Sequence, residues 1–146
     1  EHGIAGPFVQ DNHSRSVAGT LRGLHLQLRR PQGKLIRVIE GEIFDVAVDV
    51  RRGSPTFGRW VGVTLTAENI KQVYVPPGFA HGFAVVSPIA KAGYKATEPD
   101  ERAREIGSAW NDRPLPLAGP GADPILSPRD GRHPRLAEVT DQLPRL

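Results

Sequence analysis

Five residues between Gln10 and Arg37 set the chemical possibilities of this sequence: Gln10, Asn12, Arg22, His25 and Lys34, placed among Leu21, Leu24, Leu26 and Ile36. Cationic and hydrogen-bonding groups are dense here, and apolar residues flank them. His25 reads in two ways. It is either a core histidine satisfied by a backbone carbonyl or a general base, because imidazole titrates near working pH and needs only a carboxylate to orient it. Lys34 is either a solvated strand-edge lysine or a cation that holds an anion or a developing oxyanion. Asp130, in Ser127-Pro128-Arg129-Asp130, is either a helix-capping carboxylate or the partner of His25. Tyr94 is either a core aromatic or a phenolic proton donor. Together these residue types describe proton transfer beside an anionic group.

Such groups need rigid elements to hold them. Fourteen prolines and sixteen glycines cut the chain into short segments. Apolar runs that alternate, or are continuous between turn residues, outnumber helix-period stretches. The pattern predicts strands at Gly19–Gln27, Lys34–Ile39, Ile43–Val50, Trp60–Leu65, Val73–Val75, Gly82–Val86 and Ala90–Ala96. Gln10–Asn12 reads as part of a polar turn before the first of them. Glu40-Gly41 reads as a tight hairpin between the second and third. In the third strand Phe44, Val46, Val48 and Val50 share one face, and Asp45, Ala47 and Asp49 share the other. In an ideal strand Arg22 and His25 point to opposite faces. If both serve one pocket, the strand needs a bulge, and Gly23 is the place for it. Asn111 to Pro124 reads as an irregular crossover. Ser127, Pro128 and Asp130 then give a helix start, and short helical turns follow Pro134.

Many short strands with Gly/Pro turns imply a mainly-β jelly-roll barrel or sandwich, with the site in its mouth. Histidines in such a fold raise the question of a metal. The usual cupin set is an H-x-H pair, a nearby glutamate and a later histidine. Here the segments are His25-Leu26-Gln27 with Lys34 downstream, and a histidine at His81, so the donors for Fe, Mn or Zn are too few. The reading is a site without metal.

Composition bounds the rest. The 146 residues make one domain by length, with 38% hydrophobic and 24% charged residues. No apolar run approaches the roughly 20 residues of a membrane span. Glu1, His2, Gly3 and Gly6 show no basic or apolar leader pattern. Cysteine is absent, which excludes disulfides and thiolate chemistry and suits the cytoplasm. A net charge of +3 without a basic run suits an anionic small ligand rather than nucleic acid.

From Phe8 to about Glu138 the sequence resembles the dTDP-4-dehydrorhamnose 3,5-epimerase family, the cupin-fold sugar-nucleotide epimerases. The resemblance rests on FVQDNHSRS at Phe8–Ser16, LRGLH at Leu21–His25 and QGKLIRV at Gln32–Val38. It continues in SPTFGRW at Ser54–Trp60, PPGFAHGF at Pro76–Phe83, YK at Tyr94–Lys95, WND at Trp110–Asp112 and ILSPRD at Ile125–Asp130. It implies epimerisation at carbons 3 and 5 of a 4-keto-6-deoxyhexose on dTDP, with no metal or other cofactor. His25 would be the base, Asp130 its orienting partner, Tyr94 the opposing acid and Lys34 the cation at the enolate oxygen. Gln10, Asp11, Asn12, Arg22, Lys34, His81, Glu105 and Arg129 match positions that contact the sugar nucleotide. A homodimer is implied too. The family has a further N-terminal segment that reaches the neighbouring subunit's site, and this sequence starts after it. Family members also carry one or two tyrosines shortly after the YK motif, one of them stacking on thymine, whereas Ala96–Glu101 holds no aromatic. The nucleotide, the sugar and the number of inverted carbons stay open. The other readings are a single-site epimerase or ketoisomerase, a non-catalytic sugar-nucleotide-binding cupin, and a metal-dependent cupin oxygenase.

Overall fold

The computed structural model describes residues 2–4, 6–101, 105–109, 111–112 and 123–146. Trp110 and most of the expected crossover lie outside the described residues. Among the described residues, nine strands run β1 (Gln10–Val17), β2 (Leu21–Gln27), β3 (Lys34–Glu40), β4 (Glu42–Asp49), β5 (Trp60–Thr66), β6 (Gln72–Val75), β7 (Phe79–Val85), β8 (Ile89–Ala96) and β9 (Glu105–Gly107). They form a four-stranded sheet, β1-β8-β3-β6, and a five-stranded sheet, β5-β4-β7-β2-β9. Every pairing between strands is antiparallel.

Two apolar layers hold these sheets. Ile36, Val38, Val75, Ala90 and Ala92 of the smaller sheet meet Ile43, Leu65 and Val85 of the larger one between the sheets. The second layer lies on the other face of the five-stranded sheet. There Leu21, Leu24, Leu26, Val46, Val48, Val50 and Ala80 are covered by Leu143, with Leu126 and Leu136 packed alongside. The tail that supplies this cover holds one helical turn, α1 (Leu136–Val139), and ends on Arg52, whose amide bonds Pro144 O at 2.7 Å. The larger sheet is thus buried on both faces. The Val46 and Val48 face of β4 looks outward under the tail, and the Asp45 face looks into the sandwich.

Three sequence expectations change. Glu40-Gly41 is a corner between sheets, because β3 and β4 belong to different sheets. Gln10–Asn12 opens β1, a full strand whose alternation was hidden because its inward residues, Gln10, Asn12, Ser14 and Ser16, are polar. The helix start at Ser127 yields only a 3-10 turn, Asp130–Arg132, although Ser127 Oγ does accept the Asp130 amide at 3.1 Å. Pro134 follows too closely for the turn to continue.

At the end of β4, Asp49 ties down the turn that follows. Its buried carboxylate accepts from Arg51 Nη2 at 2.8 Å, Ser54 Oγ at 2.5 Å and Thr56 Oγ1 at 2.6 Å. The Arg51 guanidinium, helped by both hydroxyls and working against burial, holds this carboxyl well below its ordinary value of 3.8. A carboxyl depressed in the fold adds stability that is complete above the unfolded value and is lost as pH falls toward the folded one. Asp49→Asn should cost about 3 kcal/mol at pH 7, since it removes the charge of a buried carboxylate that answers Arg51, Ser54 and Thr56 together. Thermal melts across pH check this. The gap between wild type and variant should narrow below about pH 4, and a gap that stays constant would rule out the ionised carboxylate as its source.

Candidate active site

A cleft of about 570 Å³ opens between the sheets. Of the residues singled out in the sequence, Asn12, Arg22, His25, Lys34, His81, Tyr94, Glu105, Arg129 and Asp130 line it. Gln10 stands behind this lining, where it bonds Asn12 Oδ1 at 3.1 Å and accepts the Asp100 amide at 2.8 Å. Asp11 is not brought to the cleft. Strand alternation turns it to the outer face, where it pairs with Lys95 Nζ at 2.9 Å.

Strand β2 presents both Arg22 and His25 inward because its register shifts between them. Gly23 makes that shift. It sits at φ +118°, and a Cβ there would lie 2.6 Å from Gly82 Cα on neighbouring β7. Only glycine fits this conformation and this approach. Leu21, Leu24 and Leu26 consequently stay in the outer layer while Arg22 and His25 share the cleft.

His25 has a carboxylate beside each ring nitrogen. Nε2 reaches Asp130 Oδ1 at 2.5 Å, and Nδ1 lies 3.2 Å from Glu105 Oε1. Glu105 is itself drawn by Arg129, whose Nη2 is 2.6 Å from Oε2. With the proton of a neutral ring on Nε2, directed at Asp130, the Nδ1 lone pair is left to accept a proton. Burial opposes the charge on Asp130, yet hydrogen bonds from His25, Ser127 and His133 outweigh it and keep this carboxyl below its ordinary value. His25 faces His81 across the β2–β7 pair, and His81 Nε2 is fixed by the buried Asp45 Oδ2 at 2.8 Å.

The opposite wall comes from the smaller sheet. Lys34 opens β3, which is flanked on both sides, so it is no edge lysine. Its Nζ lies 5.4 Å from the centre of the Tyr94 ring. Burial lowers the Lys34 pKa, with Glu105, Asp100 and Asp45 pulling the other way. Tyr94 is pushed up to about 12, by burial first and then by the charge of Asp100. The phenol therefore stays protonated, able to give a proton but reluctant to release one to water.

Three residues of this neighbourhood were not singled out from sequence. Asp45 had a usable signal, an acidic residue at an alternating position in an otherwise apolar strand. Asp100, which accepts from Gln32 at 2.8 Å and Asn12 at 3.2 Å, had none. His133, bonded to Asp130 at 3.1 Å, had none either. His25, Asp130 and His133 place three possible metal-ligand atoms within 4.8 Å of one another. Both imidazoles, however, aim at the same oxygen, Asp130 Oδ1, so hydrogen bonding accounts for the grouping. Gln27, at the second position of the H-x-H pattern, is engaged with the carbonyls of Arg30 and Pro99 at 3.0 and 3.1 Å.

Fold and site together define a cupin-type jelly roll with an acid–base cleft between its sheets. The chain belongs to the dTDP-4-dehydrorhamnose 3,5-epimerase family, whose sequence profile matches residues 1–138. The dTDP-4-dehydrorhamnose 3,5-epimerase of Pseudomonas aeruginosa is 54% identical over 133 residues, which are 90% of this chain and 74% of that protein. A crystal structure of dTDP-6-deoxy-D-glucose-3,5-epimerase from Legionella pneumophila, in complex with dTDP-4-keto-L-rhamnose, superposes with a TM-score of 0.92 at 48% identity. That match covers 99% of this chain and 78% of the Legionella chain. A 3'-monoepimerase from Streptomyces bikiniensis, in complex with dTDP-quinovose, is 37% identical with a TM-score of 0.87, over 95% of this chain and 72% of that one.

The buried environment of Lys34 gives a test that needs no substrate. After reductive 13C-methylation, one of the chain's four lysine signals should titrate below the others, against an ordinary value of 10.5, and vanish in Lys34→Arg. Four coincident midpoints would mean that the amine is solvated.

Proposed function

We propose that this chain inverts carbons 3 and 5 of dTDP-4-dehydro-6-deoxy-D-glucose to give dTDP-4-dehydro-L-rhamnose, in dTDP-rhamnose biosynthesis. The observation that carries the proposal is the opposed pair of proton-handling groups in one cleft. His25, fixed by Asp130, stands on the larger sheet, and Tyr94, kept protonated, stands on the smaller one. Both carbons lie next to the 4-keto group, so their protons are acidic once the electron pair can move onto the ketone oxygen. His25 Nδ1 takes the proton from one face of the sugar. The resulting enolate is held by the Lys34 ammonium, and Tyr94 returns a proton to the opposite face. The carbon is inverted; His25 then releases its proton to solvent and Tyr94 takes one back, so both groups are restored before the second carbon reacts, without a redox step or a cofactor. Arg22 and Arg129, two guanidiniums at the cleft, suit the diphosphate. Asn12, His81 and Glu105 line the remaining wall as substrate contacts.

Running the reaction in heavy water tests this reading. Deuterium should enter at both carbons, and His25→Ala should slow its entry at least about 100-fold, the usual weight of a positioned base. Label at a single carbon would make the chain a single-site enzyme, a reading favoured by its likeness to the 3'-monoepimerase. No label in wild type would leave only a sugar-nucleotide-binding role.

The same reading makes the enzyme a homodimer working in the cytoplasm, where nucleotide sugars are made. Strand β1 is a free edge of the smaller sheet, and Val17 and Ile39 are about half exposed, at 48% and 46%. Among the described residues no helix is long and apolar enough to cross a membrane. Light scattering should give twice the 15.9 kDa chain mass, and a monomer at micromolar concentration would overturn the dimer.

A further inference from the structure

His133 makes a contact that none of the proposed steps uses. Its Nε2 lies 3.1 Å from Asp130 Oδ1, the same oxygen that His25 Nε2 reaches at 2.5 Å. The ring stands edge-on to His25, with centroids 5.4 Å apart and planes at 83°. Its side chain is 9% exposed, and the backbone is shaped to receive it. A Cβ on Gly107 would sit 2.1 Å from His133 Cε1 and Nδ1. Gly107 is the residue of β9 directly opposite His25 in the register. The strand position beside the base thus lacks a side chain, and the His133 ring occupies the space. Both flanks of His133 are pinned: Gly131 N bonds Ser127 O at 3.1 Å, and Pro134 O accepts Ala109 N at 2.7 Å.

We propose that His133 is a positioning residue. It donates a second hydrogen bond to Asp130 Oδ1, which fixes the carboxylate toward His25 and limits how strongly that carboxylate retains the His25 proton. The charged and titratable groups around it are Asp130 and Arg129 from its own segment, His25 from β2 and Glu105 from β9. Burial, and then the nearness of His25, lower the His133 pKa, while Asp130 opposes the shift. The ring therefore stays neutral and acts as a donor rather than as a second cation.

His133→Gln and His133→Asn separate this role from simple packing. Glutamine carries its amide to about the place of Nε2, and asparagine falls short of it. His133→Asn should lower kcat about tenfold, with KM within about twofold, which marks loss of positioning rather than of substrate binding. Its acid limb in kcat/KM should move up by about half a pH unit, because Asp130 then serves the His25 proton alone. His133→Gln should restore most of both. Gly107→Ala, which displaces the ring, should reproduce the loss in wild type and add little in a His133→Ala background, a non-additivity expected only if the two act through one contact. The kinetic arm rests on the epimerase reading. Nitrogen-15 NMR of the histidine rings in the substrate-free protein does not, and there too the His25 titration should move upward in His133→Asn. Should wild type prove inactive, the epimerase reading fails while NMR still decides the role of His133. Unchanged kinetics and an unchanged His25 titration in a folded His133→Asn would make the ring a space-filler and end the proposal. If that variant fails to fold, Gly107→Ala decides by the same two readouts.

Discussion

The arrangement depends on one constraint. The space between two facing sheets cannot be filled with apolar side chains and also hold a polar cleft. This chain resolves the conflict by giving its larger sheet a second apolar layer on the outside, where Leu21, Leu24, Leu26, Val46 and Val48 pack under the C-terminal tail. The stabilisation lost where the inner face is polar is offset on the outer one, at roughly 25 cal/mol per Å² of apolar surface buried. The inner face of β2, β4 and β7 is then free to carry Arg22, His25, Gln27, Asp45 and His81. Strand alternation does the sorting, and the shift at Gly23 adjusts its phase so that Arg22 and His25 fall on the same side.

A polar interior is tolerable only when its groups are paired. The buried carboxylates have partners with a defined geometry. Asp45 holds His81, and Asp130 holds His25 and His133. These pairs need not add net stability, since desolvation cancels much of the attraction. What they fix is orientation. His25 cannot rotate without breaking its bond to Asp130. The wall opposite is less tightly bound. Lys34 is buried over Tyr94, and the bond from Tyr94 to Asp100 is a long 3.5 Å. A fixed imidazole facing a looser phenol and ammonium is what the proposed exchange of protons on two faces of a substrate requires.

Much of this was legible from residue order. Apolar alternation placed seven of the strands close to their observed limits, since burial of one face writes itself directly into period two. The two it missed show where that signal ends. Strand β1 points polar residues inward because it lines a cleft, and β9 is three residues long, too short for any period. Alternation also names faces without saying which is inside, so β4 could not reveal that its valines look away from the cleft. Among the residues at the cleft, those in continuous motifs were singled out from sequence, whereas Asp100 and His133 are placed there only by what the fold brings together. Asp11 shows the opposite error. It sits between Gln10 and Asn12 in the motif, yet strand geometry turns it to the other side of the sheet.

The tail links the outer apolar layer to the cleft. Ile125 pairs with Thr20 beside β2, Leu126 packs into the outer layer, and Asp130 reaches His25 only a few residues later. Leu136 and Leu143 then complete the cover. The segment that seals the hydrophobic face of the larger sheet is therefore the same one that delivers the Asp130 carboxylate to His25. Asp130 and His25 are 105 residues apart in sequence, so their contact is bought with a large loss of chain entropy. The single hydrogen bond between them does not meet that cost alone, given a net worth of about 1.5–3 kcal/mol for a bond to a charged group. The packing of Leu126, Leu136 and Leu143 meets it, and the active geometry is in this sense a by-product of covering the sheet. A loosened tail would thus expose apolar surface and release the base from its partner in one step, which ties the stability of the outer layer to the orientation of His25.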